Sequence, residues 1–151
     1  MPLTTLFSGE TAPGLYRLKA EVSLPTLEKL AQENNFTLFV FSGKNICNQQ
    51  EFFDHVETVL KPANWGRNWD SFEEVLNAVY KIPAPGVIVL YNDFQVMMAQ
   101  DRKNFDIALD IIMSVSYEPE RLKDRGDQVP MTPLYLLLQG ETNAALPIDW
   151  L

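Results

Sequence analysis

Apolar and polar positions along the chain predict strands that are separated by helices. Continuous apolar runs, rich in β-branched and aromatic residues, occur at Phe36–Gly43, Val87–Tyr91 and Leu134–Gly140. Apolar residues recur at helical spacing in the segments between them, at 48–60, Trp69–Tyr80 and Phe94–Tyr117. Strands that are apolar on both faces and alternate with helices indicate a parallel sheet covered by helices. The pattern therefore predicts an α/β fold built on a small parallel β-sheet.

Local signals divide the helical segments further. Pro62 is expected to end the segment 48–60, because the residue before a proline avoids helical geometry. Asn92 or Asp93 is expected to cap the helical region that follows the second strand. Asp101 is expected to cap a new helix within that region. The core stripe of this new helix is predicted to be Phe105, Ala108, Leu109, Ile112 and Val115. The charged, proline-containing stretch 118–133 predicts an exposed loop.

The first 35 residues predict an additional β/α segment. "GLYRLKA" (14–20) predicts an edge strand, and "SLPTLEKLAQENN" (23–35) predicts a helix that Ser23 caps and Asn34 ends. This segment could extend the sheet or form a dimer contact. We expect a single folded unit made of an N-terminal extension (1–35) packed on the core, a main domain (36–140) and a C-terminal tail (141–151), whose Trp150 could dock back on the body.

Composition restricts the possible partners. The chain has 151 residues, 46% of them apolar, which is enough for one domain with its own core. Twelve basic and twenty acidic residues give a formal net charge of −8. Direct binding to nucleic acid needs clustered Lys and Arg, and the sequence has no such cluster. An acidic surface favours encounter with a basic partner, although solubility alone also explains a mildly acidic protein.

No segment suggests a membrane or secretion. No apolar run approaches the roughly 20 residues that cross a bilayer. The start "MPLTTLFSGE" lacks the features of a signal peptide. Cys47 is the only cysteine, so an internal disulfide is impossible and a reducing compartment fits best. We therefore expect a cytoplasmic protein, while the oligomeric state is open.

Residues suited to catalysis or cofactor binding are scarce. His55 lies in mid-helix without a suggested partner, Cys47 has no second thiol, and no glycine-rich phosphate loop occurs. Asp70 and Glu74, four residues apart, could form a general acid–base pair. However, the helix dipole favours acids in a first turn by about 0.3–1 kcal/mol each, which explains Asp70 and Glu73 without catalysis. We expect no enzyme activity, no cofactor and no metal.

The stretch "LKPANWGRNWDSFEEVL" (60–76) carries the most specific pattern in the chain. It resembles the signature of the barstar family, intracellular protein inhibitors of basic ribonucleases. The matching positions, in order and without a gap, are Pro62, Trp65, Gly66, Asn68, Trp69, Asp70, Phe72 and Glu74. The surrounding order of strands and helices also agrees, so the resemblance covers about Phe36–Gly140.

Physical roles can be assigned to several residues of this stretch. Gly66 would permit a positive φ or a close backbone approach at the turn, which Trp65 and Arg67 would resist. Asn68 could cap the helix that begins near Trp69. Trp69 is expected to face the core, three residues before Phe72, whereas Trp65 could stand out on the loop as an interface anchor.

The resemblance implies an acidic loop and helix that enter the cationic substrate cleft of a ribonuclease, where RNA phosphates would lie. Asp70 and Glu74 match two interface aspartates of the family, while Asn64 and Glu73 lie where it has a tyrosine and a tryptophan. The implied partner-binding residues are Asn64, Trp65, Gly66, Asn68, Asp70, Glu73 and Glu74. The alternative is a non-catalytic immunity or interaction module for a different basic protein.

Overall fold

A four-stranded, all-parallel sheet forms the centre of the computed structural model, which describes residues 3–116 and 131–151. Its strands are β1 (Gly14–Arg17), β2 (Thr37–Ser42), β3 (Val87–Asn92) and β4 (Leu134–Gln139). Their spatial order is β1-β4-β3-β2. β3 and β4 occupy the centre, and five successive residues of each are buried, as expected for strands covered on both faces. The predicted α/β fold with a small parallel sheet is confirmed.

Six α-helices connect or cover the strands within the described residues. They are α1 (Thr4–Ser8), α2 (Leu24–Glu33), α3 (Gln49–His55), α4 (Trp69–Val79), α5 (Gln95–Gln100) and α6 (Arg102–Ser116). α1 and α2 pack on one face of the sheet, and α3 to α6 pack on the other. None of the helices in the described part of the chain is both long and apolar enough to cross a membrane.

Two local predictions were wrong in detail. The single helix expected over 48–60 consists of α3 and a π-helical turn, Val56–Leu60, which ends at Lys61. The expected caps Asn92 and Asp93 do not cap α5. Instead, the Asn92 Oδ1 accepts a hydrogen bond of 3.0 Å from the backbone N–H of Gly43, which joins the ends of β2 and β3.

Several other predictions at helix ends are confirmed. The Ser23 Oγ accepts from the N–H of Thr26 at the start of α2, and Asn34 ends that helix. Asp101 lies between α5 and α6, and its Oδ1 accepts from the N–H of Asn104. The predicted core stripe of α6 faces the sheet, with Leu109 only partly buried. Most of the expected loop 118–133 lies outside the described residues.

The N-terminal and C-terminal segments meet at the β1 edge of the sheet. β1 pairs with β4 in parallel, from Gly14 opposite Tyr135 to Arg17 opposite Leu138. The tail then runs beside β1, where Arg17 donates its N–H to Asp149 and accepts one from Leu151. Trp150 therefore docks on the body, as the sequence suggested. Backbone hydrogen bonds join the N-terminal segment to the strand β4 and to the tail. The boundaries 1–35, 36–140 and 141–151 stay a prediction.

Candidate functional site

The loop between the π-helical turn and α4 is held in an unusual backbone conformation. Lys61, Asn64 and Arg67 all have positive φ, at 48°, 57° and 51°. The left-handed region disfavours side chains other than Gly and Asn, so the rest of the structure must stabilise this loop. Of the two roles left open for Gly66, a positive φ is not observed, and Arg67, which was expected to resist that conformation, adopts it. The alternative role of Gly66, a close approach, is observed: an added Cβ would lie 2.5 Å from the Ser71 Oγ.

Asn68 begins α4 as predicted. Its Oδ1 accepts a hydrogen bond of 2.8 Å from the N–H of Ser71, and its Nδ2 donates to the Gly66 carbonyl at 3.4 Å. One side chain therefore fixes both the start of the helix and the end of the loop. This cap determines where the first turn of α4, including Asp70, is presented.

Trp65 in the loop and Trp69, the first residue of α4, both pack against α3. Trp69 lies on Phe53 with ring centroids 4.8 Å apart, and on Phe72 at 5.8 Å. This confirms its predicted orientation toward the core. Trp65 makes an edge contact with Phe53 at 5.4 Å and is only partly exposed. Trp65 therefore packs on α3 rather than standing out fully from the loop, and its ring serves as a hydrophobic contact that holds the loop there. Its role as an interface anchor stays a prediction.

Ion pairs of Arg67 connect the same loop to α3 and to the π-helical turn that follows it. Its Nη1 lies 2.6 Å from the Glu57 Oε1, and its Nη2 lies 3.1 Å from the Asp54 Oδ1. Hydrogen bonds to Glu57 and to Asp54 raise the pKa of the Arg67 guanidinium, which stays positively charged. The basic residue nearest to the α4 acids in the sequence is therefore engaged elsewhere.

The three acids of α4 are left without ionic partners in the described part of the chain. Asp70 and Glu74 are exposed, and Glu73 is half-buried. None of the ion pairs among residues 3–116 and 131–151 includes any of them. Asp70 and Glu74 lie one helical turn apart on the same face, where like charges repel by about 0.2–0.5 kcal/mol. Within the described residues, no ion pair compensates the negative charge of this surface.

A groove of about 350 Å³ lies between the loop and α4. Asn64 and Glu74 both line it, together with Lys61, Ser71 and apolar side chains. Its apolar lining includes Leu60, Val75, Val79 and Ile82. The groove combines an apolar wall with a carboxylate and an ammonium group, so it could accept a side chain that has an apolar stem and a polar end.

A catalytic site and a metal site both have little support in the described residues. The Nδ1 of His55 lies 2.9 Å from the Glu51 carbonyl oxygen within α3, and its ring contacts Phe41. No group of three or more His, Cys, Asp or Glu side chains in these residues is arranged to hold a metal ion. Nothing here orients Asp70 and Glu74 as an acid–base pair.

Two features of the site were missed by the sequence argument. The first is the ionic connection from Arg67 to Asp54 and Glu57, which joins residues from different elements. The spacing of Asp54 and Glu57, three apart on a helix, could have suggested a shared cation. The second is the π-helical turn at Val56–Leu60. Such turns are frequent near functional sites, but the hydrophobic period does not distinguish them from ordinary helix.

Comparisons with known proteins agree with the fold and with the loop pattern. The family model "Barstar (barnase inhibitor)" matches residues 36–131, well over half of the chain. The comparison with curated proteins gives no match. Two structures of the Aeropyrum pernix ORC2 protein, in ADPNP–ADP complexes and in the ADP form, align with 92% and 93% of this chain.

The likeness to the ORC2 structures concerns the fold alone. Their sequence identities are 14% and 12%, and the TM-scores are 0.51 and 0.50. The chain spans only 38% and 39% of those proteins. The family match, by contrast, covers the loop and helix described above, together with β2, β3 and the helices between them. The chain belongs to the barstar family.

Proposed function

We propose that the protein is an inhibitor of a basic ribonuclease, and that the α4 acids occupy the position of RNA phosphates in the enzyme's active site. The observation that carries this proposal is the exposed pair Asp70 and Glu74, which has no ionic partner among the described residues, in a chain of the barstar family. Unpaired carboxylates on one helix face cost little in water, and they gain charge-assisted hydrogen bonds when Arg and Lys side chains approach.

The surrounding geometry supports a rigid binding surface. Asn68 and Gly66 fix the turn, while Trp65 and Arg67 attach the loop to α3. A surface that is already in its bound shape loses little conformational entropy on association, which favours tight binding. We assign contact roles to Asn64, Asp70, Glu73 and Glu74 and positioning roles to Trp65, Gly66 and Asn68.

The net charge of −8 also supports a cationic partner. Complementary charge accelerates encounter between proteins, and the effect weakens as salt screens it. In this proposal the protein has no catalytic activity of its own and needs no cofactor. The only cysteine, Cys47, is compatible with the reducing conditions of the cytoplasm, where we place the complex.

The second candidate is an interaction module for a cationic protein that is not a nuclease. The residue types at two positions, which differ from the family pattern, favour this second candidate. Glu74 is one methylene longer than the aspartate that the family pattern has there, and Asn64 replaces an aromatic residue. Both residues line the same groove, so the shape offered to the partner differs at that point. The partner's activity, not its charge, distinguishes the two candidates.

Affinity capture followed by a nuclease assay tests both candidates. The purified protein is immobilised, proteins bound from the native host are identified, and each is assayed for cleavage of RNA and DNA. The bait Asp70→Asn/Glu74→Gln serves as the comparison, because it removes both charges and keeps the side-chain size. A second bait, Glu10→Gln/Glu28→Gln, removes two exposed acids that lie far from the site in the sequence.

The proposal predicts a basic ribonuclease that binds the unaltered bait and the second control bait, but not Asp70→Asn/Glu74→Gln. A basic partner without nuclease activity would favour the interaction module. Capture of acidic proteins only, or equal capture by all three baits, would contradict both candidates.

A further inference from the structure

A buried arginine lies where β1 ends, in a part of the sequence distant from the α4 acids. Arg17 is only 8% exposed. Its guanidinium lies between two aromatic rings, 4.3 Å from the Trp150 centroid and 5.5 Å from the Phe94 centroid. Its Nη2 donates to the Gly140 carbonyl at 3.1 Å. Its Nε is buried and has no hydrogen-bond acceptor among the described residues.

The positive charge of Arg17 is only partly compensated. No carboxylate of residues 3–116 or 131–151 forms an ion pair with it. Arginine stays charged in proteins, and a buried charge is normally paired with a counter-ion. The two rings and one carbonyl stabilise the cation without neutralising it. The unused Nε–H is therefore a donor suited to an anion.

An open cleft of about 560 Å³ adjoins this arginine. Its lining includes Arg17, Lys19, Glu21, Gly140, Glu141 and Trp150. These residues follow the carboxyl ends of β1 and β4, which are neighbours in the sheet. Open α/β sheets bind ligands in crevices outside the carboxyl ends of their strands, and this volume suits a small molecule.

The lining also indicates the chemistry of the ligand. Trp150 is 50% exposed and is the only large apolar side chain classed as exposed in the described part of the chain. Its free area could stack on a planar ring. Arg17 and Lys19 supply positive charge, while Glu21 and Glu141 are exposed acids that disfavour a highly charged anion. A single negative charge on a planar body fits this arrangement best.

We propose that the cleft binds a small planar organic carboxylate, whose carboxylate pairs with Arg17 and whose ring stacks on Trp150. The site is separate from the α4 acids and does not depend on the proposed inhibitory function. The Arg17 Nε is buried in this structure, and the Trp150 ring, which lies beside the Arg17 guanidinium, also lines the cleft. Binding should therefore change the environment of that ring.

Nuclear magnetic resonance of the full chain tests this proposal, because its three tryptophans give three indole N–H signals. The Trp150 signal is assigned from the variant Trp150→Leu. Benzoate is titrated to about 10 mM, a range that detects millimolar dissociation constants. Benzyl alcohol is the neutral control, and phenyl phosphate is the more highly charged one.

The expected result is a saturable shift of the Trp150 signal by benzoate, with at least about tenfold weaker binding of benzyl alcohol and weaker binding of phenyl phosphate. Arg17→Met should abolish the benzoate response while the protein stays folded. If that variant does not fold, Trp150→Leu should weaken benzoate binding at least about fivefold, measured at the Gly140 amide. A shift that does not saturate, or equal binding of benzoate and benzyl alcohol, would overturn the proposal.

Discussion

Asp101 and the acids of α4 show two different uses of a carboxylate in one molecule. Asp101 accepts hydrogen bonds from the Asn104 side chain at 3.0 and 3.1 Å and from the Gln49 N–H at 3.1 Å. It therefore joins the start of α3 to the start of α6. Asp70 and Glu74 are also near a helix start, yet no side chain of the described residues forms an ion pair with them.

The difference separates stabilising acids from acids available to a partner. The hydrogen bonds of Asp101, from the Asn104 side chain foremost and from the backbone of Gln49 and Asn104, lower the pKa of its carboxyl group. Its charge is already used within the fold. Glu74 instead lines a groove at the surface and forms no ion pair with any described residue. Removing the first kind of acid should affect stability, and removing the second should affect binding.

The largest expected effect is on binding by the α4 acids. Asp70→Asn/Glu74→Gln should weaken the complex with the captured ribonuclease by about 2–5 kcal/mol, mainly through faster dissociation, because charge-assisted hydrogen bonds are lost. The free energy of unfolding should change by less than about 1 kcal/mol, since losing the favourable interaction of Asp70 with the helix dipole and removing the repulsion along α4 oppose each other. Surface plasmon resonance and urea unfolding measure the two quantities. A large loss of stability with unchanged binding would show that these acids stabilise the fold and do not contact the partner.

The next effect is on stability at Asp101. Asp101→Ala should lower the free energy of unfolding by about 0.5–2 kcal/mol, because the cap of α6 is lost. Binding to the ribonuclease should be unchanged. Urea unfolding and the same binding assay provide the test, with Asp106→Ala as a control in the same helix. Equal destabilisation by the two variants would show that Asp101 has no special role.

A pH dependence follows from the lowered pKa of Asp101. The pKa in the folded protein lies below the ordinary value of 3.8, so the stabilisation is fully present above that value and is lost as pH falls through the folded pKa. The difference in unfolding free energy between the wild type and Asp101→Asn should therefore shrink as pH falls from 5 to 2. A difference that stays constant with pH would contradict this account of Asp101.

The smallest expected effect concerns Arg67, which holds the loop before α4 through Asp54 and Glu57. Arg67→Ala removes its pairs with Asp54 and Glu57 but keeps a side chain at a positive φ. Arg67→Gly removes the same pairs and relieves the backbone. The glycine variant should melt roughly 2–4 °C higher than the alanine variant. If the alanine variant melts at the same or a higher temperature, the backbone at this position is not strained.

The strands and the cap at Asp101 could be predicted because their signals are local. Uninterrupted apolar runs and a capping residue before a helical stretch act over a few residues. The apolar stripe of α4 likewise indicated that Phe72 is buried, as observed. The short helix α1 was missed, although Gly9 at φ 85° ends it in the usual way.

The site was predicted only in part because its shape depends on distant contacts. The pattern of 60–76 identified the acids and the Asn68 cap. It could not show that Trp65 packs on Phe53, or that Arg67 reaches the π-helical turn to pair with Glu57. These contacts, rather than a flexible glycine, hold the backbone of the loop. Tertiary contacts therefore overrode the local preference for glycine at a positive φ.

The central claim is that Asp70 and Glu74 take the place of RNA phosphates in the partner's active site. The most direct measurement is a titration of the captured ribonuclease with this protein while cleavage of a fluorogenic RNA is followed. The account predicts that activity falls to zero at one equivalent, that RNA competes with the inhibitor, and that Asp70→Asn/Glu74→Gln inhibits far less. A ribonuclease that stays active in the saturated complex would contradict it.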